Sequence, residues 1–311
     1  MKVVFIGTPC FALPSLVALH NSTHQVELVV TRAARPQGRG RILTDPPVAV
    51  KAKELFIPVM QPVDINVNSS VDDIFACVPD VVVVVAYGVI LKERLLSTAM
   101  HGAINVHPSI LPRYRGPSPI QTAIASGDSE TGVTVLKMDQ SLDGGAIYGF
   151  CTTRIANTTT TAELSRELSG RGADLLVRTL DNIEREGVSP VPQDNSIATF
   201  TRTLRREDGE VAWLDSAIDI YNKWRAYQPW PGLYSYVGDK TVKILDCRVV
   251  DENCASPVGS VRFTGDELFV TTGQQALAIS VLQVAGKKAQ SAAEFSRGYP
   301  KLLDLTWGTR E

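Results

Sequence analysis

Within the stretch from Gly102 to Tyr148, Asn105 and His107 stand two residues apart, and Asp143 follows in a loop loosened by Gly144 and Gly145. On a strand end, residues two apart face the same side. An amide, an imidazole and a carboxylate suit a transfer to a carbonyl carbon. The amide donates to a developing oxyanion, the imidazole moves a proton near neutral pH, and the carboxylate holds the imidazole. Taken alone, the same three residues also read as a strand cap and a turn. The segment that follows, Pro108 to Ile120, holds four prolines, one glycine and two arginines. A stiff, charged loop beside a polar pair reads as a shaped site wall rather than a linker.

The elements that must position these residues begin with a β-α-β opening. Val3 to Gly7 reads as a buried strand, Phe11 to His20 as a helix behind Thr8-Pro9, and Val26 to Thr31 as a second strand. This order predicts an α/β, doubly wound Rossmann-like sheet with ligand at the C-terminal ends of its strands. Gly7-Thr8-Pro9 lacks the second and third glycines of a dinucleotide fingerprint, so NAD is not expected. Val81 to Ala86 is an unbroken apolar run, hence a central strand, and it ends in Ala86-Tyr87-Gly88, where main-chain groups suit recognition of a flat heterocycle. The pattern continues with a strand over 104–106, a helix over 120–126, and strands over 131–138 and 147–155. A long amphipathic helix, Thr161 to Glu186, follows and is closed by Gly187. Between the second strand and the next helix, residues 32–48 hold four arginines, two glycines and three prolines, the composition of a mobile basic loop.

At 311 residues the length suggests about two domains. The expected division is 1–189 for the sheet domain, 190–206 for a Pro/Asn/Ser-rich linker, and 207–311 for a smaller domain. Beyond residue 207 a helix over 217–227 precedes five short strand-like runs separated by polar turns, which predicts an OB-like β-barrel. A formal charge of −2 argues against a globally basic nucleic-acid binder and leaves room for local basic patches. Five scattered cysteines without a Cys-x-x-Cys pair argue for reduced thiols in the cytoplasm, and no cluster of metal-ligand spacing is present. No apolar run approaches the roughly 20 residues of a membrane span. The apolar run at Val3 is too short for a signal peptide.

The segment NVHPSILPRYRGPSPIQTAI, with SGDSETGVTVLKMDQSLDGG after it, resembles the active-site signature of the 10-formyltetrahydrofolate-dependent formyltransferases. The likeness continues through AYQPWPGLYSY and VAGKKAQSAAEF, so it covers nearly the whole chain. The resemblance implies that Asn105, His107 and Asp143 are catalytic and that 10-formyltetrahydrofolate is the formyl donor, without a metal. It implies that Ala86, Tyr87, Gly88, Ser109, Leu111 and Pro112 bind the folate. Within the family it points to the branch that formylates methionyl initiator tRNA. The implied tRNA contacts are Arg39 and Arg41 in the basic loop and Lys287 and Lys288 in the second domain, on a monomer that needs no membrane. Two other readings are weighed against it. A sugar-nucleotide amine as acceptor leaves the Arg32 to Arg41 insertion unexplained, and a non-catalytic RNA binder leaves the Asn-His-Asp set unexplained. The chain departs from the family pattern at Cys10, where an aspartate is common, and at Gly144-Gly145-Ala146, where Thr-Gly-Asp is usual.

Overall fold

The computed structural model describes residues 1–37, 40–252 and 256–310, which form two compact units. The first comprises Met1–Pro119, Glu130–Arg154 and Glu163–Arg202; the second comprises Ile120–Ser129, Ile155–Ala162 and Thr203–Glu311. The unit boundaries thus cross the sequence more than once. Arg225 explains part of this: it is buried, and its Nη1 donates to the carbonyls of Ala156 (3.0 Å) and Thr159 (2.9 Å), tying that turn to the second unit. Residues 190–202, expected as linker, group with the first unit, where Val191 exchanges backbone hydrogen bonds with Ile147.

The first unit opens with β1 (Lys2–Gly7), α1 (Leu13–His20) and β2 (Gln25–Val30). A small hairpin of β3 (Arg35–Gln37) and β4 (Ile42–Thr44) follows, then α2 (Pro47–Glu54), β5 (Val59–Met60), α3 (Asn68–Ala76), β6 (Val81–Val85) and the short α4 (Glu93–Leu96). β7 (Ala103–His107), β8 (Glu130–Lys137), β9 (Ile147–Arg154) and α6 (Thr161–Glu186) complete the order; α5 (Pro119–Ala125), between β7 and β8 in the chain, groups with the second unit from Ile120 on. The sheet runs β5-β2-β1-β6-β7-β8-β9. It is parallel from β5 to β7 and antiparallel across β8 and β9. The five valines of β6 are all buried, as a central strand covered on both faces requires. Gly172 lets α6 lie close to the sheet, because a Cβ there would stand 2.8 Å from Val106 Cγ1 and 3.2 Å from Val133 Cγ1.

The basic stretch read as a mobile loop is in part ordered. Pro36 pairs with Leu43 and Arg35 with Thr44, and the run Ile42-Leu43-Thr44 supplies the residue types that favour a strand. Its base is pinned by Gln61, whose Nε2 donates to the Arg32 carbonyl (3.1 Å) and to Asp45 Oδ1 (3.3 Å).

The second unit carries α7 (Ala217–Tyr227), β10 (Leu233–Gly238), β11 (Lys240–Val250), β12 (Val261–Thr264), β13 (Glu267–Thr271) and β14 (Ala276–Val284). It ends with β15 (Gln290–Ser291), α8 (Ala292–Gly298), α9 (Pro300–Leu303) and β16 (Thr309–Arg310). The strand order is β12-β13-β14-β11-β10-β16, antiparallel except for the β10–β16 pair. The OB-like core is filled by Leu233, Val242, Ile244, Leu268, Ile279 and Leu282, closed by Trp213, Phe295 and Trp307. Helix α8 adds to the expected elements; Ser291 and Glu294 form a capping box at its start, a pattern visible in Ser-Ala-Ala-Glu.

Candidate active site

β7 places two of the three expected polar residues at its C-terminal end. It pairs with β6 through Val84–Asn105 and with β8 through His107–Thr134, so both neighbours fix its register. Asp143 sits in the β8–β9 connection with φ +49°, a left-handed conformation that aspartate tolerates better than most residues. The structure brings all three together. Asp143 Oδ1 lies 3.4 Å from Asn105 Nδ2, and its Oδ2 lies 3.6 Å from His107 Nδ1. The shortest bond to that carboxylate comes from the main chain, where the Gly116 N–H donates to Oδ2 at 2.8 Å.

His107 is buried, and its Nε2 stands 2.9 Å from the Tyr114 carbonyl oxygen. Both ring nitrogens therefore face oxygen acceptors. The proline-rich loop thus serves the site through its backbone, Tyr114 toward His107 and Gly116 toward Asp143.

A cavity of about 600 Å³ opens beside this group. Its walls include Glu93, Leu96, Ala99 and Met100 from the α4 region, and Lys137, Met138 and Gln140 from the approach to the Asp143 loop. Met138, Asp139 and Ser141 also line a much smaller cleft that reaches Asp143 and Gly145. The large cavity therefore borders the polar group through a shared wall. Its mixture of apolar faces with a carboxylate, an amide and an ammonium suits a flat heterocycle bearing donors and acceptors.

The residues expected to bind folate lie outside the lining of both cavities. Tyr87 is a core residue, packed with Val4, Ile6, Leu91 and Leu95, and its burial raises the phenol above its usual range, with Arg32 opposing. Ala86 (φ +49°) and Gly88 (φ +75°) leave only backbone and small surfaces to offer a ligand. Ser109 and Leu111 are buried; Ser109 Oγ donates to the Arg113 carbonyl at 2.6 Å and its own carbonyl accepts from Thr134 Oγ1 at 2.7 Å. They and Pro112 shape the loop, and none of the six lines either cavity. The lining residues Met138 to Ser141 lie inside the motif that carries Asp143, whereas four-residue α4 gives too short a pattern to be read.

Arg41 is exposed just before β4 with φ +48°, and Arg39 lies outside the described residues. Lys287 and Lys288 are exposed in the turn between β14 and β15. Among the described residues, His24, Asp181 and Glu184 form a cluster with metal-ligand types, remote in sequence from the Asn-His-Asp group. No helix of the described residues is long and apolar enough to cross a membrane.

A family profile described as formyl transferase matches residues 1–180, and one described as formyl transferase, C-terminal domain, matches residues 203–300. A methionyl-tRNA formyltransferase from Roseiflexus sp. (strain RS-1) is 41% identical over 312 residues, covering 100% of this chain and 95% of the relative. Among solved structures, an N-formyltransferase from Helicobacter canadensis, in complex with folinic acid and dTDP-3-aminofucose, has a TM-score of 0.68 at 16% identity. It covers 90% of this chain and 98% of its own. Methionyl-tRNA formyltransferase from Clostridium thermocellum gives a TM-score of 0.56 at 15% identity, covering 81% of this chain and 95% of its own. At such identities the two structures speak to the fold.

Proposed function

The chain belongs to the methionyl-tRNA formyltransferase family, and we propose that Asn105, His107 and Asp143 carry its chemistry. The enzyme transfers the formyl group of 10-formyltetrahydrofolate to the free amino group of methionyl initiator tRNA, giving N-formylmethionyl-tRNA for translation initiation. The observation that carries the assignment of residues is the meeting of an amide, an imidazole and a carboxylate within 3.6 Å, beside a cavity of about 600 Å³.

The bound donor supplies the formyl carbonyl and leaves with a proton on its nitrogen. The neutral methionyl amine attacks that carbonyl carbon, and negative charge gathers on the oxygen. Asn105 Nδ2, held near Asp143, donates to this oxygen. His107 takes part in the proton movement, with Tyr114 O 2.9 Å from its Nε2 and Asp143 Oδ2 3.6 Å from its Nδ1. Asp143, held by the Gly116 N–H, keeps the imidazole and the amide in register.

The cavity fits the pterin end of the donor, with Leu96, Ala99 and Met138 against its faces and Gln140 and Glu93 toward its edge. Arg39, Arg41, Lys287 and Lys288 provide phosphate contacts for the tRNA. The enzyme acts as a monomer in the cytoplasm, where initiator tRNA is charged and used.

The test is formylation of methionyl initiator tRNA by the purified protein with 10-formyltetrahydrofolate, set beside a sugar-nucleotide amine as acceptor. Turnover of the tRNA alone is expected. Turnover of the sugar nucleotide at a comparable kcat/KM overturns the acceptor assignment. Retained turnover in Asn105→Ala and His107→Asn overturns the residue assignment.

A further inference from the structure

We propose that Gln193 is a positioning residue for formyl transfer, the clasp that holds Asp143 in its working conformation. Its side-chain amide donates two hydrogen bonds into the Asp143 loop, to the carbonyl of Asp143 itself (2.8 Å) and to that of Gly145 (2.7 Å). Two donors from one amide, directed at carbonyls two residues apart, fix the backbone on both sides of Gly144. Fixation is required there, because Asp143 at φ +49° occupies a sparsely populated region.

The amide oxygen of Gln193 is itself held. It accepts from Arg115 Nε (3.1 Å) and from Arg115 Nη2 (2.7 Å). Arg115 is buried, and its Nη2 also donates to Asn195 Oδ1 at 2.8 Å. Its backbone is fixed as well, with the N–H given to the Thr199 carbonyl (2.9 Å) and the carbonyl accepting from Thr201 N–H (2.7 Å). The guanidinium fork sets which way the Gln193 amide points, because it can only donate and so selects the amide oxygen.

Arg115 immediately precedes Gly116, whose N–H holds the Asp143 carboxylate, and follows Tyr114, whose carbonyl faces His107. The hydrogen bonds close a ring: Asp143 carboxylate to Gly116, along the chain to Arg115, across to Gln193, and back to the Asp143 carbonyl. Side chain and main chain of one residue are thus held from the same short segment. Both dihedral freedom of the loop and orientation of the carboxylate are removed together, which is the pre-organisation that an acyl-transfer site needs.

The inference rests on the proposed role of Asp143, and the experiment separates the two. Gln193→Ala and the isosteric Gln193→Glu are compared with wild type, with Asp143→Ala, and with each combination. The carboxylate of Gln193→Glu still accepts from Arg115, so this variant keeps the guanidinium fork and replaces the two donors by an oxygen that repels both carbonyls. Single-turnover formylation at saturating substrates is expected to fall on the order of 10²-fold in both Gln193 variants. KM for 10-formyltetrahydrofolate is expected to stay within about twofold. In the Asp143→Ala background the Gln193 substitutions are expected to cost less than about twofold more, since residues acting as one unit are not additive. A Gln193 effect that persists at full size in that background overturns the clasp and leaves Asp143 in its role. Near-normal turnover of Asp143→Ala alone overturns both.

Discussion

Gly145 and the Lys137 carbonyl approach so closely that a Cβ on Gly145 would stand 1.8 Å from the oxygen. The approach is backbone against backbone across the base of the Asp143 loop, where Lys137 N also donates to the Ala146 carbonyl at 2.8 Å. No side chain can swing aside to relieve it. Gly145→Ala is therefore expected to displace the loop, lowering formylation by about 10²-fold and stability by about 1–3 kcal/mol. Urea unfolding and steady-state rates measure both; a variant with wild-type rate shows that the loop tolerates the shift.

The polar group itself predicts a division between chemistry and binding. His107→Asn is expected to lower kcat by about 10²-fold or more. Asn105→Ala is expected to lower it by roughly 10²–10³-fold. Donor affinity should be little changed in either, because neither side chain lines the large cavity. Equilibrium dialysis with a folate analogue beside kcat reads the two quantities separately. A fall in affinity matching the fall in rate would assign these residues to binding instead.

Arg39→Ala with Arg41→Ala is expected to weaken methionyl-tRNA binding and to lessen its dependence on salt. The log–log slope should flatten by about one unit for each tRNA phosphate that the arginines neutralise in the wild-type complex. The check is kcat/KM for the tRNA at several salt concentrations in wild type and the double variant. Parallel slopes with unchanged kcat/KM would remove the two arginines from tRNA binding.

His24 predicts a pH effect on stability. Its side chain is enclosed, Nε2 has no hydrogen-bond partner among the described residues, and its pKa is lowered from 6.5, first by burial and then by the neighbouring positive Met1 amino group. Asp181 and Glu184 act in the opposite direction and only partly offset this. As pH falls through 6.5 the unfolded chain binds this proton before the folded one does, so the stability that His24 supports above that pH declines below it. Tm is expected to drop between about pH 7.5 and 5.5, and His24→Gln is expected to make the drop shallower. An equal drop in both proteins would place the effect elsewhere.

Much of the scaffold is legible because its signals are local. The valines of β6 announce a doubly covered strand, and the 3.6-residue pattern with Gly187 marks α6 over its observed span. Asn105, His107 and Asp143 are legible as a set through their types and a long motif. The packing of Tyr87 is not legible, because an aromatic at a strand end looks the same whether it turns outward or, as here, into the core. Gln193 is invisible for a different reason. Its neighbours Pro192, Asp194 and Asn195 have the composition of a connector, and only tertiary structure shows that the connector bonds to the Asp143 loop. The cavity walls from α4 escape because one helical turn is too short to show a period.

The hydrogen bond from Gln193 to Asp143 spans 50 residues of chain. A polypeptide is made from its N-terminus at about 5–20 residues per second, so the clasp reaches Asp143 some 3–10 s after Asp143 itself has been made. Sheet and helices have time to assemble in that interval while the loop remains unfastened. On this view the Asp143 loop is fastened late, by a stretch of chain that lies beyond a boundary drawn at residue 189.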